Sequence, residues 1–348
     1  MPASSTKADS IRLQRVALFV LLTISSVGSS SRASSAPASA REEGQGLLVL
    51  TEVWWLQPRN LDLDYALIQS GVATTIGGEV QTLSHDRRPV TRLYAGWRLE
   101  SAPSVQLGAT FLEYDDRSSV ATGFNPRNVA PSLASPFSPF LGFPATFDSA
   151  TAESHLQLTL VDAGFRFHHG LGEHGALRVD AELRFFRYQR TTQVRYRRDD
   201  LGEIRDLFVN STSDARGIGP RVALSYAHRF GRRFGVTASL GFAMPVGKLE
   251  ARDLQEFVMV SPPPEDLLGS TLAEQPGTRR AFFQIDSEIA LEVHLWKGWD
   301  ASLSYGFQQW SDVQSNLRFV DFPAQGTAVG IREDTVFEGF LLGVRYAF

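Results

Sequence analysis

Two segments near the middle of the chain, VDAGFRFH (161–168) and ALRVDAELRFF (176–186), alternate apolar and polar residues without a break, and only a short Gly- and His-rich turn separates them. Val161, Ala163, Phe165 and Phe167 share one face with Leu177, Val179, Ala181, Leu183 and Phe185. The opposite face carries Asp162, Arg166, Arg178, Asp180, Glu182 and Arg184. A period of two is the mark of a strand with unlike faces. Either the greasy face is buried against a second sheet in water, or it faces lipid and the charged face lines the inside of a closed barrel.

The same unit recurs along the chain: VTRLYAGWRLE with VQLGATFLEY, GIGPRVALSYAHRF with FGVTASLGFAMPV, and FFQIDSEIALEVHLW with WDASLSYGF. LLVLTEVWWLQ (47–57) precedes these hairpins and FEGFLLGVRYAF (337–348) follows them, which predicts ten strands, with eight or twelve left open. Short turns alternate strictly with long stretches, 58–89, 115–153, 197–212, 251–280 and 312–334, which read as outer loops. A soluble sandwich has no reason to segregate loop lengths, whereas an outer-membrane barrel does. Trp97, Phe167, Phe230, Phe234, Trp299, Tyr346 and Phe348 lie beside the short turns and form one interfacial girdle. Pro220 and Pro245 are spaced to sit at similar height near the opposite rim, where lost ladder bonds are tolerable. The fold class expected is all-β: a transmembrane antiparallel up-and-down β-barrel with long extracellular loops and short periplasmic turns.

At the N-terminus Lys7, Arg12 and Arg15 precede the apolar run VALFVLLTI and a Ser/Ala-rich stretch, the layout of a secretory signal. The run is far below the roughly 20 residues that a spanning helix needs. Residues 1–40 are therefore expected to be a signal peptide and Ser/Ala-rich segment, and 41–348 a single barrel domain in the bacterial outer membrane. Either the VGS or the ASA site could be cleaved. The 348 residues contain no cysteine, so disulfides, thiolate metal sites and cysteine nucleophiles are excluded. A formal net charge of −4 and the lack of a basic aromatic stripe exclude a nucleic-acid binder.

The segment Phe340, Leu342, Val344, Tyr346, Phe348 resembles the assembly signal of bacterial outer-membrane proteins, which implies recognition by the barrel-assembly machinery and closure of that edge against the first strand. More broadly, VWWLQPRNLDLDYAL, RLYAGWRL, GIGPRVALSY, GFQQW, LRFVDF and FLLGVRYAF are similar to the Legionella-type major outer membrane protein family of pore-forming barrels. The resemblance implies a pore.

With the apolar phase outside, the residues assigned to the lumen are Glu52, Arg92, Arg98, Asp162, Arg166, Arg178, Asp180, Glu182, Arg184, Arg221, Asp286, Glu288, Glu292 and Arg345, balanced in sign. Ten tilted strands give a backbone diameter near ~20 Å, so inward arginines leave a narrow channel or none. Residues alone divide evenly between a lumen filled by ion pairs and a narrow water-filled pore, with Gly235, Thr237, Ser239, Gly241, Ser302, Ser304 and Gly306 supplying space. The family resemblance favours a porin-like channel for ions or small polar solutes with weak charge selectivity. The alternative is a closed structural or adhesive barrel that binds through its loops, SPFSPFLGFPATF (135–147) among them. A hydrolase would need its acids and His at the outer rim, where His85, Asp86, Asp115, Asp116 and His155 fall, but no nucleophile or triad spacing accompanies them. HHGLGEH could offer imidazoles to a metal, yet a solvent-facing turn is the simpler reading. The sequence therefore implies neither an enzyme, a cofactor nor a metal. Arg187, just past the hydrocarbon, and Arg195, Arg197 and Arg198 beyond it are expected to contact lipopolysaccharide phosphates.

Overall fold

The computed structural model of the chain describes residues 46–59, 64–69, 78–83, 86–98, 103–121, 129–131, 147–200, 203–261, 266–296, 298–319 and 328–347. The signal-peptide segment, most of 135–147, His85 and Phe348 lie outside the described residues. The strands are β1 (Gly46–Arg59), β2 (Asp64–Gln69), β3 (Gly78–Thr82), β4 (Arg88–Arg98), β5 (Ser104–Ala121), β6 (Val129–Pro131), β7 (Ser149–Leu171) and β8 (Gly175–Asp200). They continue with β9 (Glu203–Phe230), β10 (Phe234–Ala243), β11 (Val246–Ser261), β12 (Asp266–Ala281), β13 (Phe283–Trp296), β14 (Trp299–Phe319) and β15 (Ala328–Ala347). The short strands β3, β2 and β6 form a small sheet of their own.

Hydrogen-bond register closes the other strands into a ring. β1 pairs with β15 on one side and β4 on the other, and the order continues through β5, β7, β8 and β9. β9 pairs with β10 near the short turn and with β11 farther out, and β13 and β12 follow in the same way. β14 joins β13 to β15. β10 with β11, and β12 with β13, are each one stave broken briefly, so the ring has ten antiparallel staves. The first break falls at Pro245, which has no N–H to give the ladder. Met244 N donates to Pro220 O at 3.1 Å and Phe282 N to Pro245 O at 2.8 Å, so the two prolines are cross-strand neighbours at one height. Gly172, Gly231 and Gly298, with φ of 75°, 67° and 82°, mark three of the short turns, a conformation that favours glycine.

The staves are much longer than a membrane requires. β7, β8 and β9 run 23, 26 and 28 residues, against the roughly 9–11 that cross a bilayer. The stretches read as long loops are therefore largely strand: β11 and β12 occupy most of 251–280, and β5, β7, β9, β14 and β15 extend into the others. The reason is visible along β8. Near the short turn its outward positions are Leu177, Val179, Ala181, Leu183 and Phe185, and its inward ones are charged. Past Phe185 the phase continues but the polarity exchanges: Arg187, Gln193 and Arg195 face out, while Phe186, Tyr188, Val194 and Tyr196 are buried inside. β7 makes the same exchange, with Leu160, Leu158 and Leu156 buried inside where Asp162 and Arg166 had been. One half of the barrel is thus built for lipid outside, and the other for water outside around a packed apolar core.

That packed half holds a costly acid. Asp253 on β11 is 5% exposed, and burial raises its carboxyl to about 6, opposed only by a 3.0 Å hydrogen bond from Gln255 Nε2. Because the folded value lies above the unfolded 3.8, the neutral acid is tolerated at low pH and stability is lost as pH rises from about 4 through 6. Asp253→Asn is expected to raise stability by up to about 3 kcal/mol above pH 7 and to change little near pH 4. Urea unfolding in detergent at the two pH values reads this; an equal gain at both would remove titration as the cause.

Candidate functional site

The inward charges of the lipid-facing half surround a chamber of about 160 Å³, which reaches from near the short-turn rim to mid-height. The side chains interlock across it. Arg184 holds Asp162 with two bonds of 2.7 Å and lies 3.7 Å from Asp286. Arg221 joins Glu182 on one side and Asp286 on the other, the latter at 2.7 Å. Arg166 grips Asp180 at 2.6 and 2.9 Å. Arg92 of β4 lies 3.4 Å from Glu52 and 3.8 Å from Glu288 of β13, spanning the lumen, with its guanidinium over the rings of Trp54 and Tyr94. Nearest the rim, Arg345 lies 2.6 Å from Asp300 and 3.6 Å from Glu292, and His294 meets Asp300 at 2.7 Å.

Glycine and serine leave room for this web on the wall made by β10, β14 and β15. Thr237, Ser239 and Ser302 line the chamber, and a Cβ on Gly241 would run into the Asp286 carboxylate. The expected small lining is therefore partly occupied: Asp286 fills the space at Gly241, and a Cβ on Gly306 would meet Leu341 at 3.0 Å.

Above the charges the lumen is crossed by rings. Phe186 of β8 meets Trp310 of β14 and Phe282, both at 4.9 Å between centroids, and all three are fully buried. Three staves lie between β8 and β14 one way around the ring and five the other, so this is contact between nearly opposite walls. Leu56, Leu112, Leu158 and Leu160 complete the ceiling.

Of the residues assigned to the lumen, Glu52, Arg92, Arg166, Arg178, Asp180, Arg184, Arg221, Asp286, Glu288, Glu292 and Arg345 line the chamber. Asp162 and Glu182 are buried behind it in the ion pairs above, and the Arg98 side chain falls outside the described set. Sequence reading missed Asp300, whose inward phase matches Ser302 and Ser304, and Tyr94, which shares the phase of Arg92. It also missed the aromatic ceiling, because Phe186 ends one expected strand and Trp310 lies beyond the end of another, where neither was given an inward partner.

The terminal strand closes the ring. Phe340, Leu342, Val344 and Tyr346 pair with Trp55, Val53, Thr51 and Val49 of β1, and the first three are exposed on the outer wall. Tyr346 packs on Trp299 at 4.6 Å. The cationic set divides. Arg187 is half-exposed just past Phe185, 3.1 Å from Asp214. Arg195 and Arg197 both hold the buried Asp206, and Arg195 also covers the Phe208 ring. Eight residues of tilted strand carry Arg195 about 20 Å farther out than Arg187, so the four arginines cannot share one layer of lipid phosphate.

Of the outer acids and histidines, Asp115 and His155 do meet, at 2.5 Å, and Glu113 joins them within 4.8 Å. They stand on the outer wall of β5 and β7. In the turn region His174 packs edge-on to His228 at 6.4 Å.

A ten-stave antiparallel ring with an apolar outer band and a charged interior defines an outer-membrane β-barrel. The family model described as Legionella pneumophila major outer membrane protein precursor matches residues 42–273, two thirds of the chain, and the chain belongs to that family. Its place is the bacterial outer membrane. No curated protein matches it. Among solved structures it is similar to the outer membrane protease OmpT from Escherichia coli, at 9% identity and TM-score 0.45, covering 92% of this chain and 100% of that one. The translocator domain of the autotransporter NalP from Neisseria meningitidis follows at 11% identity and TM-score 0.29, covering 99% and 98%. The Pseudomonas putida toluene transporter TodX stands at 8% and 0.29, covering 90% and 92%. Scores this low leave function to be argued from this chain's own residues.

Proposed function

We propose that the protein is a narrow outer-membrane channel for ions or small polar solutes, held shut in the conformation described. The observation that carries this is the charged chamber, roomy enough for several waters, beneath an apolar ceiling. Buried ion pairs are weak stabilisers compared with apolar packing, so this many charges in the membrane half favours a wetted lumen over a purely structural one. A polar vestibule that ends at an apolar constriction is instead how a pore is gated by dewetting. Both signs of charge line the chamber, so selectivity is weak.

Planar bilayers under a salt gradient test the reading. Purified protein gives small, infrequent conductance steps, and Glu288→Gln with Glu292→Gln moves the reversal potential toward anions. Complete absence of steps would sink the proposal. A second reading, a closed structural or binding barrel working through its outer wall, is favoured by the depth of the packed outer half, and would then stand. The expectation of no enzymatic activity belongs to both readings.

A further inference from the structure

The register of the outer wall brings together a row of cations that the sequence scatters over 93 positions: Arg187 of β8 pairs with Arg216 of β9, Arg216 with Lys248 of β11, and Lys248 with Arg279 of β12. All four are exposed and point away from the barrel. On β8, β9 and β11 the cation is the first outward residue past the apolar band, directly after Phe185, Ile218 and Val246; on β12 Ala281 and then Phe283 lie beneath Arg279. The other side of the barrel differs at the corresponding step, where β1, β5, β14 and β15 present Gln57, Glu113, Gln309 and Glu338. The next outward row beyond the cations holds Asp214 and Glu250, and Asp214 lies 3.1 Å from Arg187.

We infer that Arg187, Arg216, Lys248 and Arg279 form a binding site for the phosphates of one bisphosphorylated lipid A, whose acyl chains lie on the apolar wall below. Adjacent staves are about 4.8 Å apart, so the row spans about 14 Å. That width admits two phosphate groups on one sugar backbone. Guanidinium and ammonium donors at the edge of hydrocarbon, where water is scarce, make charge-assisted bonds to phosphate stronger than the same pairs in bulk water. This site replaces Arg195, Arg197 and Arg198 with three residues that sequence alone could not align with Arg187. The inference stands whether or not the barrel conducts.

The test measures binding of the full-length protein in detergent to bisphosphorylated lipid A, to fully dephosphorylated lipid A and to inorganic phosphate, by thermophoresis. Bisphosphorylated lipid A is expected to bind tightly and the other two weakly. Arg216→Gln and Lys248→Gln each weaken binding about tenfold, and Arg252→Gln, two outward rows farther out, leaves it unchanged. Gel mobility before and after heating verifies that each variant is folded. Equal binding by the folded variants, equal binding of dephosphorylated lipid A, or saturation by inorganic phosphate alone would each overturn the assignment.

Discussion

Arg221→Leu is expected to destabilise the refolded barrel by about 3–5 kcal/mol. The side chain is 5% exposed and is the shared partner of Glu182 and Asp286, which come from opposite sides of it. Its removal leaves two carboxylates facing one another inside the membrane half, with Asp286 keeping Arg184 at 3.7 Å. The loss is therefore larger than the net worth of the pairs themselves, because desolvated charge is stranded. Adding Glu182→Gln and Asp286→Asn to Arg221→Leu should return much of the stability by removing the stranded charge. Urea titrations in detergent micelles, followed by tryptophan fluorescence, give both numbers. A single variant as stable as the natural chain, or a triple variant no better than the single, would contradict the account.

The membrane half of this fold was legible in the sequence because lipid imposes a simple rule on it. Each outward position from Leu177 to Phe185 must be apolar, and the phase so fixed sent Asp180, Glu182 and Arg184 inward. Short turns carrying Gly172, Gly231 and Gly298 set the pairing, and the terminal alternation pointed to closure on β1. The outer half was hidden by the same rule applied too far. At Arg187 the outward residue turns polar, which ends a lipid-facing strand but not a strand. Reading the opposite phase, Phe186, Tyr188, Val194 and Tyr196, would have revealed its continuation, although Arg190 and Thr192 interrupt that pattern. Partnerships inside the lumen were beyond reach for a different reason. Parity places Arg92 and Glu288 on the inner face, but their approach across the barrel depends on its cross-section, which no local pattern records.

Phe186→Ala combined with Trp310→Ala should raise the frequency of channel openings about a hundredfold while lowering the stability of the folded barrel. Each ring is fully buried, and truncating such a residue to alanine costs about 3–5 kcal/mol. Their mutual contact joins β8 to β14 across the lumen, and a conducting state in which the walls part cannot keep it. If about 3 kcal/mol of that loss falls on contacts made only when the lumen is shut, the closed-to-open ratio changes by about a hundredfold. Phe257→Ala serves as the comparison: it removes an equally buried ring from β11 farther out, above the ceiling of the chamber. Its stability loss should be similar, with a smaller effect on openings. Single-channel recordings of the two variants, set against their urea midpoints, separate gating from packing. If the double variant loses stability yet passes no more current than the natural chain, the rings are only part of a solid core, and the barrel's work lies on its outer wall.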